Sequence, residues 1–443
     1  MQLSSIACFT GIFTIFWSVN ASSATPTKQQ PQLPKLIEAA LAHDYVLQQS
    51  RDNEQATESR RDAVQALPDP RVSMSVVNVP TDGYALNEQA MTQLKVGMSQ
   101  RLPRGNAVAL QRQALRATAT RYPALRAQRA AEVSRDMTNI WTDIIVLHSS
   151  ASLIKQQTRL LGQLNTAVEN RYASSSGATQ YDVISMELLV TGLADRLESV
   201  QAKQQSAIAS LGNWLPESMQ ARITNLTPNR ADNQWLQAYI AQSLLEPAPQ
   251  RLVERLQQHP QLLAQNASIQ VQQLKQQQVA ETFKPQWEIN ASYAYRQDDP
   301  HNTSRADFVS LGVSVDIPLF SARVKNAALA ASISSTASMQ TEKRLIIQQL
   351  LSKVKQLYAR YPVLRSRLAR YQTKLLPLRQ QHYDAALNAY TSANGGISDI
   401  LQSQLALIDD RMKLLSLQGD MAKLMSDLNY YLSPAARLAE TAL

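Results

Sequence analysis

Cysteine, glycine and aromatic residues are scarce in this chain: one Cys, 12 Gly and 6% Phe, Trp and Tyr among 443 residues. The single thiol, Cys8, lies within the N-terminal apolar run Ile6 to Trp17, whereas an acylated lipoprotein cysteine must follow such a run to become the mature N-terminus. Removal of that segment leaves no thiol, which excludes disulfides, thiolate metal sites and a cysteine nucleophile. No GxSxG, HExxH or phosphate-loop pattern occurs, so no nucleophile or acid–base set points to an enzyme. The histidines His43, His148, His259, His301 and His382 are isolated, without an i,i+4 pair, and the methionines do not cluster. They read as surface or packing residues, and no cofactor is implied. A net charge of +9 could suggest nucleic acid, but the Lys and Arg are scattered singly among Gln and Ala without interleaved aromatics. They read as solvated helix faces.

What is present is a composition rich in Ala, Gln, Leu, Arg and Ser, residues that favour long helices with narrow cores. Residues 1–24 are expected to be a secretory signal peptide: the apolar run is short for a bilayer span and is followed by the small residues Ala21 to Ala24.

The second half of the chain repeats the first. Gly97 and Pro103 fall on Gly312 and Pro318; Asn170, Tyr172, Gly177 and Asp182 fall on Asn388, Tyr390, Gly395 and Asp399, a spacing of 215–218 residues throughout. This predicts a first repeat over 25–215, a Pro-punctuated connector over 216–248, a second repeat over 249–432 and a peripheral tail over 433–443. Each repeat runs helix, strand pair, very long helix, Gly-containing turn, returning helix. A first helix is expected from Leu36 to Ala66, ending at Leu67-Pro68-Asp69-Pro70. Alternation then marks strands over Val72–Val76 and Gln93–Ser99, and over Trp287–Tyr295 and Val309–Ile317, with Leu94, Val96 and Met98 on one face and Lys95 and Ser99 on the other. The longer of these approach the length that a tilted strand needs to cross a bilayer.

From Gly105 to Tyr172 and from Phe320 to Tyr390 only Pro123, Pro362 and Pro377 oppose a helix, and about 65–70 helical residues would extend roughly 100 Å. The returning helices carry heptad seams. Met186, Val190, Leu193, Leu197 and Val200 form one, interrupted at Gln204; Leu414, Leu417, Met421, Leu424 and Leu428 belong to the other, interrupted at Asp410. The fold class is mainly α with transmembrane β strands. About four strands per chain cannot close a barrel, and open edges are not tolerated in lipid, so chains must pool their strands. A dimer would supply about eight and a trimer about twelve, and a conduit favours the larger number.

This layout, with "Tyr-x4-Gly…Asp-Val-Ile" and "Tyr-x4-Gly…Asp-Ile-Leu" ahead of heptad helices, resembles the TolC-type outer-membrane efflux protein family over about Leu33 to Leu432. The resemblance implies a homotrimer with a twelve-stranded barrel in outer-membrane lipid, continued by a coiled-coil tunnel across the periplasm and girdled by an equatorial band. It implies a passive exit duct that docks to a periplasmic adaptor (membrane fusion) protein and an inner-membrane pump. Leu67-Pro68-Asp69-Pro70 and Leu102-Pro103-Arg104-Gly105 are similar to the heavy-metal cation branch, which would make such cations the cargo and an RND-type pump the partner. A periplasmic coiled-coil adaptor, or a structural protein without channel activity, is the alternative.

The resemblance also places a periplasmic gate or acidic selectivity ring at Asp182, Tyr390 and Asp399. The latch is incomplete here, because the arginine expected nearby falls on Gly395 or Gly396 and a second acidic position is Gln402. Helix capping is the competing role for both aspartates. Gly177, Gly395 and Gly396 are expected to take left-handed turn conformations, and the tips Ala173–Thr179 and Thr391–Ile397 to meet the adaptor.

Overall fold

A computed structural model describes residues 33–174, 178–224, 236–240, 249–301, 303–392 and 395–432. The expected signal peptide, the tail, most of the connector and Gly177 therefore lie outside the described residues. Two short helices open the fold, α1 (Leu33–Ala42) and α2 (Tyr45–Asp62), followed by β1 (Arg71–Val77) and β2 (Gln93–Arg101). Helices α3 (Ala107–Ala119) and α4 (Arg121–Ala173) run outward and α5 (Gln180–Ser210) returns. After α6 (Glu217–Thr224), α7 (Pro249–Gln257) and α8 (Pro260–Glu281), the order recurs. Strands β3 (Gln286–Tyr295) and β4 (Phe308–Asp316) lead into α9 (Ala322–Arg370), a π turn over Tyr371–Leu375, α10 (Leu376–Thr391) and the returning α11 (Ile397–Leu432).

The single helix expected over Leu36–Ala66 is two. Asp44 breaks it, in an extended conformation at φ −76° and ψ 108°, and its carboxylate accepts the Leu47 N–H at 3.0 Å. That cap starts α2, and Arg129 of α4 reaches the same carboxylate at 2.8 Å. Pro123 and Pro377 act as local rules predict, whereas α9 runs unbroken through Pro362. Pro123 sits in the first turn of α4, where its missing N–H costs least. Pro377 is at the start of α10, directly after the π turn, whose wider winding accommodates the carbonyl that proline cannot satisfy.

The cores are narrow stripes. Helix α4 buries Val133, Met137, Trp141 and Ile144 against α1 near its base, and Ile154, Leu161 and Val168 against Met186 and Leu193 of α5 and Ile408 of α11 farther out. A third stripe joins Leu350, Val354 and Leu357 of α9 to Leu417, Met421, Leu424 and Leu428 of α11. The heptad seam positions Met186, Leu193, Val200, Leu417, Met421, Leu424 and Leu428 are thus buried. The interruption at Asp410 is an ion pair across the α10–α11 hairpin, to Arg379 at 2.7 Å. Arg196 likewise links α5 to Asp409 of α11 at 2.5 Å. A buried Gln157–Gln404 hydrogen bond sits in the apolar α4–α11 seam and fixes its register at the cost of one unpartnered amide oxygen.

His259 caps α8 by accepting the Gln261 N–H at its Nδ1, and its ring packs edge-on to Tyr430 at 5.3 Å. Burial pushes its pKa down to about 4, which keeps the ring neutral and able to accept.

Candidate functional site

All four strands form one antiparallel sheet in the spatial order β1-β2-β3-β4. The pairing of β2 with β3 joins strands separated by the whole first helical hairpin, with Val96 opposite Tyr293 and Met98 opposite Ala291. Val72, Met98, Ala291 and Leu311 make one row, and Met74, Val96, Tyr293 and Val309 the next. Period-two alternation puts these rows on one face. That face is open: Leu311 is 82% exposed, Val72 and Val309 73%. The opposite face presents Ser, Gly, Asn and charged side chains. Apolar residues thus crowd one face and polar ones the other, and neither face is packed on a core of this chain.

Large aromatics gather at the two ends of the strands. Trp287 and a fully exposed Phe320 stand at the end nearest the helices; Tyr84, Tyr293 and Tyr295 stand toward the hairpin loops. At the loop end Arg305 donates to the Asn87 and Gln89 carbonyls, Arg296 donates to the Ala90 carbonyl, and Arg296 lies 4.1 Å over the Phe308 ring, so the two hairpins are tied together. Strands β1 and β4 each keep one edge without a partner among the described residues.

Arg104 organises the corner where strands become helices. It donates to Gln286 at 3.3 Å, to the Thr282 carbonyl at 3.2 Å and to Asp316 at 2.5 Å, joining the ends of β2, α8, β3 and β4. Gly105 beside it has φ +45°, a left-handed conformation that favours glycine, and a Cβ there would have to displace the Glu281 carboxylate, whose Oε2 would stand 1.9 Å away. Glu281 accepts from Lys284 and from the Asn106 N–H, which together hold its carboxyl below the usual range. Sequence reasoning quoted this segment as a motif but gave Arg104 no role; a second arginine three residues beyond Arg101, where the strand exits, was the available signal.

At the far end, the predicted gate residues occupy the turns but do not join within one chain. Asp182 forms a reciprocal capping box: its carboxylate accepts from the Thr179 N–H at 2.8 Å and hydroxyl at 2.7 Å, and its own N–H donates to Thr179 Oγ1. Tyr390 is half-buried in the last turn of α10, with the Arg171 guanidinium 4.8 Å above its ring. Asp399 is exposed in the first turn of α11. The expectation of left-handed glycines is corrected for Gly395 and Gly396, neither of which has positive φ. Gly395 instead permits close approach, since a Cβ there would lie 2.9 Å from the Ala389 Cβ; a Cβ on Gly396 would meet nothing nearer than 4.0 Å. Replacing Asp182 with Ala should weaken the first turn of α5 by about 1 kcal/mol, the usual worth of a cap. Faster amide hydrogen exchange confined to residues around 180–184 would register it, and unchanged exchange would refute the cap.

A groove of about 420 Å³ runs beside this tip between α5 and α11, lined by Tyr181, Leu188, Arg196, Leu401 and Leu405. Sequence reading missed it, because each helix contributes only half of the wall.

No described helix is long and apolar enough to cross a membrane. The architecture is thus a four-stranded sheet continued by rods of up to 53 helical residues. Solved structures agree. CusC, described as forming a transmembrane channel, superposes at a TM-score of 0.72 with 15% identity, over 92% of this chain and 93% of that one. VceC, an outer membrane protein from Vibrio cholerae, gives 0.71 with 15% identity over 91% and 96%. The Campylobacter jejuni CmeC outer membrane channel gives 0.70 with 8% identity over 98% of each chain. The fold of this chain is that of the TolC-type outer-membrane efflux channels, as the sequence resemblance implied. No family model and no curated protein matches the sequence.

Proposed function

We propose that this chain is the outer-membrane exit duct of a tripartite efflux system, a passive conduit for substrates that an inner-membrane pump, of RND type, delivers through a periplasmic adaptor. The observation that carries the reading is the four-stranded sheet with one open apolar face, one polar face and two unpartnered edges. Lipid tolerates neither open edge, and the edge of β4 on one copy can pair with β1 of the next. Three copies give twelve strands, the homotrimeric barrel implied by the sequence, with the two repeats of each chain side by side in its wall. A periplasmic adaptor or a filament would have no use for the exposed row through Leu311. The heavy-metal reading of the cargo rests on the short motifs alone.

In this reading the mature chain follows a cleaved signal peptide and reaches the outer membrane with its helices in the periplasm. Asp399 contributes an acidic group to the entrance, and Asp182 and Tyr390 act there across subunits as well as within their own turns. The tips around Gly177, Gly395 and Gly396, together with the groove at Tyr181 and Leu188, form the adaptor-docking surface. Native mass of the detergent-extracted protein combined with heat-modifiable migration of the outer-membrane fraction tests the assembly, with a trimer of heat-modifiable chains expected; a soluble monomer would end the duct reading. In planar bilayers Asp399→Ala, which removes an acidic group from the entrance, should shift the reversal potential toward chloride or change gating, and an unchanged record removes Asp399 from the gate.

A further inference from the structure

The polar face of the sheet carries its charge unevenly. Most of its side chains are short, as in the row Ser73, Gly97, Ser292 and Ser310. Five long charged groups within the strands stand on it: Arg71, Lys95, Arg101, Glu288 and Asp316. Both carboxylates are matched, Glu288 by Arg101 at 3.3 Å and Asp316 by Arg104 at 2.5 Å. Arg71 faces Ser99, and Lys95 lies between Ser75 and Ala294. Neither cation has a carboxylate partner among the described residues. Within the strands each chain therefore adds two positive charges without a carboxylate partner to this face, with exposed Asp69 two residues before Arg71 at its helix end.

We infer that the barrel lumen prefers anions, and that Lys95 and Arg71 are the residues that set this preference. The inference rests on the duct reading, in which the polar face lines the bore. Three copies place six such cations around one passage. A twelve-strand wall at about 4.8 Å per strand and about 40° tilt closes at a radius of about 12 Å. The Debye length is about 30 Å at 0.01 M salt, about 10 Å at 0.1 M and about 3 Å at 1 M, so the charges reach the axis at low salt and not at high salt. Low-dielectric walls focus the field inside the bore. The hairpin loops carry more acidic than basic groups, with Asp82, Glu88, Asp298, Asp299 and Asp307 against Arg296 and Arg305. They stand at the mouth, however, where open water screens them from the constricted path. Asp299 and Asp307 also accept backbone N–H groups, from Thr303 at 2.7 Å and from Arg296 at 2.9 Å. The cargo class that this wall favours is anionic: small organic anions or anionic complexes ahead of free cations.

Reversal potentials of the full-length protein in planar bilayers, under a KCl gradient, test the inference. The unmodified channel should pass chloride over potassium by about threefold at salt near 0.1 M or below, and show almost no preference near 1 M. Lys95→Glu combined with Arg71→Glu should reverse the sign at low salt. Lys95→Gln, the milder change, should reduce the chloride preference without reversing it, and serves if the double variant fails to assemble. Asp399→Ala should leave the shift caused by Lys95→Gln intact, which separates the barrel from the entrance. Potassium preference in the unmodified channel at low salt, or a reversal potential that Lys95→Gln leaves unmoved, overturns the inference while leaving the duct standing. An assembled oligomer that conducts no ions refutes the duct reading, and this inference with it.

Discussion

Leu311→Arg is expected to abolish accumulation of the heat-modifiable oligomer in the outer membrane. Leu311 is 82% exposed near the middle of β4, in a row with Ala291, Met98 and Val72. At the midplane of a bilayer an arginine on the lipid face of a barrel costs about 2–4 kcal/mol, and in a trimer the penalty falls three times on one assembly. The side chain has no aqueous surface within easy reach, since the strand continues apolar at Val309 on one side and Val313 on the other. Ser310→Arg is the matched control. It differs by one position, points to the polar face and should assemble normally, because a lumen side chain stays in water. The yield of heat-modifiable band for the two variants decides the matter, and equal yields would mean that the apolar face does not meet lipid.

Arg129→Ala is expected to destabilise the helical base by about 3 kcal/mol, the cost of leaving a buried carboxylate unpaired. The Asp44 side chain is only 2% exposed and takes both Nε and Nη2 of Arg129, at 2.9 and 2.8 Å. It also caps α2, so the pair ties the α1–α2 break to the long α4. Asp44→Asn keeps an oxygen for the cap and removes the charge. The double variant Asp44→Asn with Arg129→Ala should therefore be more stable than Arg129→Ala alone. Denaturant unfolding of the detergent-solubilised protein measures the three variants, and a double variant no better than the single would show that the unpaired charge is not what destabilises.

Much of this architecture was legible in the residues because it follows from short periods. Alternation through Trp287, Ile289, Ala291, Tyr293 and Tyr295 gave β3 to within one residue of Gln286–Tyr295. Steps of four and three through Met186, Leu193 and Val200 gave the buried seam of α5. The first helix was misjudged because its break depends on Asp44, a residue that reads as an ordinary polar position until Arg129, 85 residues away, is brought to it. The glycines of the second tip were misjudged for a related reason: spacing marks a turn but not whether the glycine is there for φ or for room. Gly395 is there for room, against Ala389. Asp182 carried two open roles, and its bonds to Thr179 fill the capping one within the single chain. Arg104 stayed silent because its partners Thr282, Gln286 and Asp316 lie far along the sequence.

By itself the sequence determined the periods: which faces are apolar, where strands alternate, and that no thiol follows Cys8. These are local consequences of backbone geometry, in which side chains two, three or four residues apart share a face. Only the tertiary structure decided the pairing of β2 with β3, the partners of the charged residues and the exposure of the apolar rows. Register between distant segments is set by the fit of whole faces, and no local spacing encodes it. The same register that matches Arg101 with Glu288 and leaves Lys95 beside Ser75 and Ala294 fixes the charge of the wall.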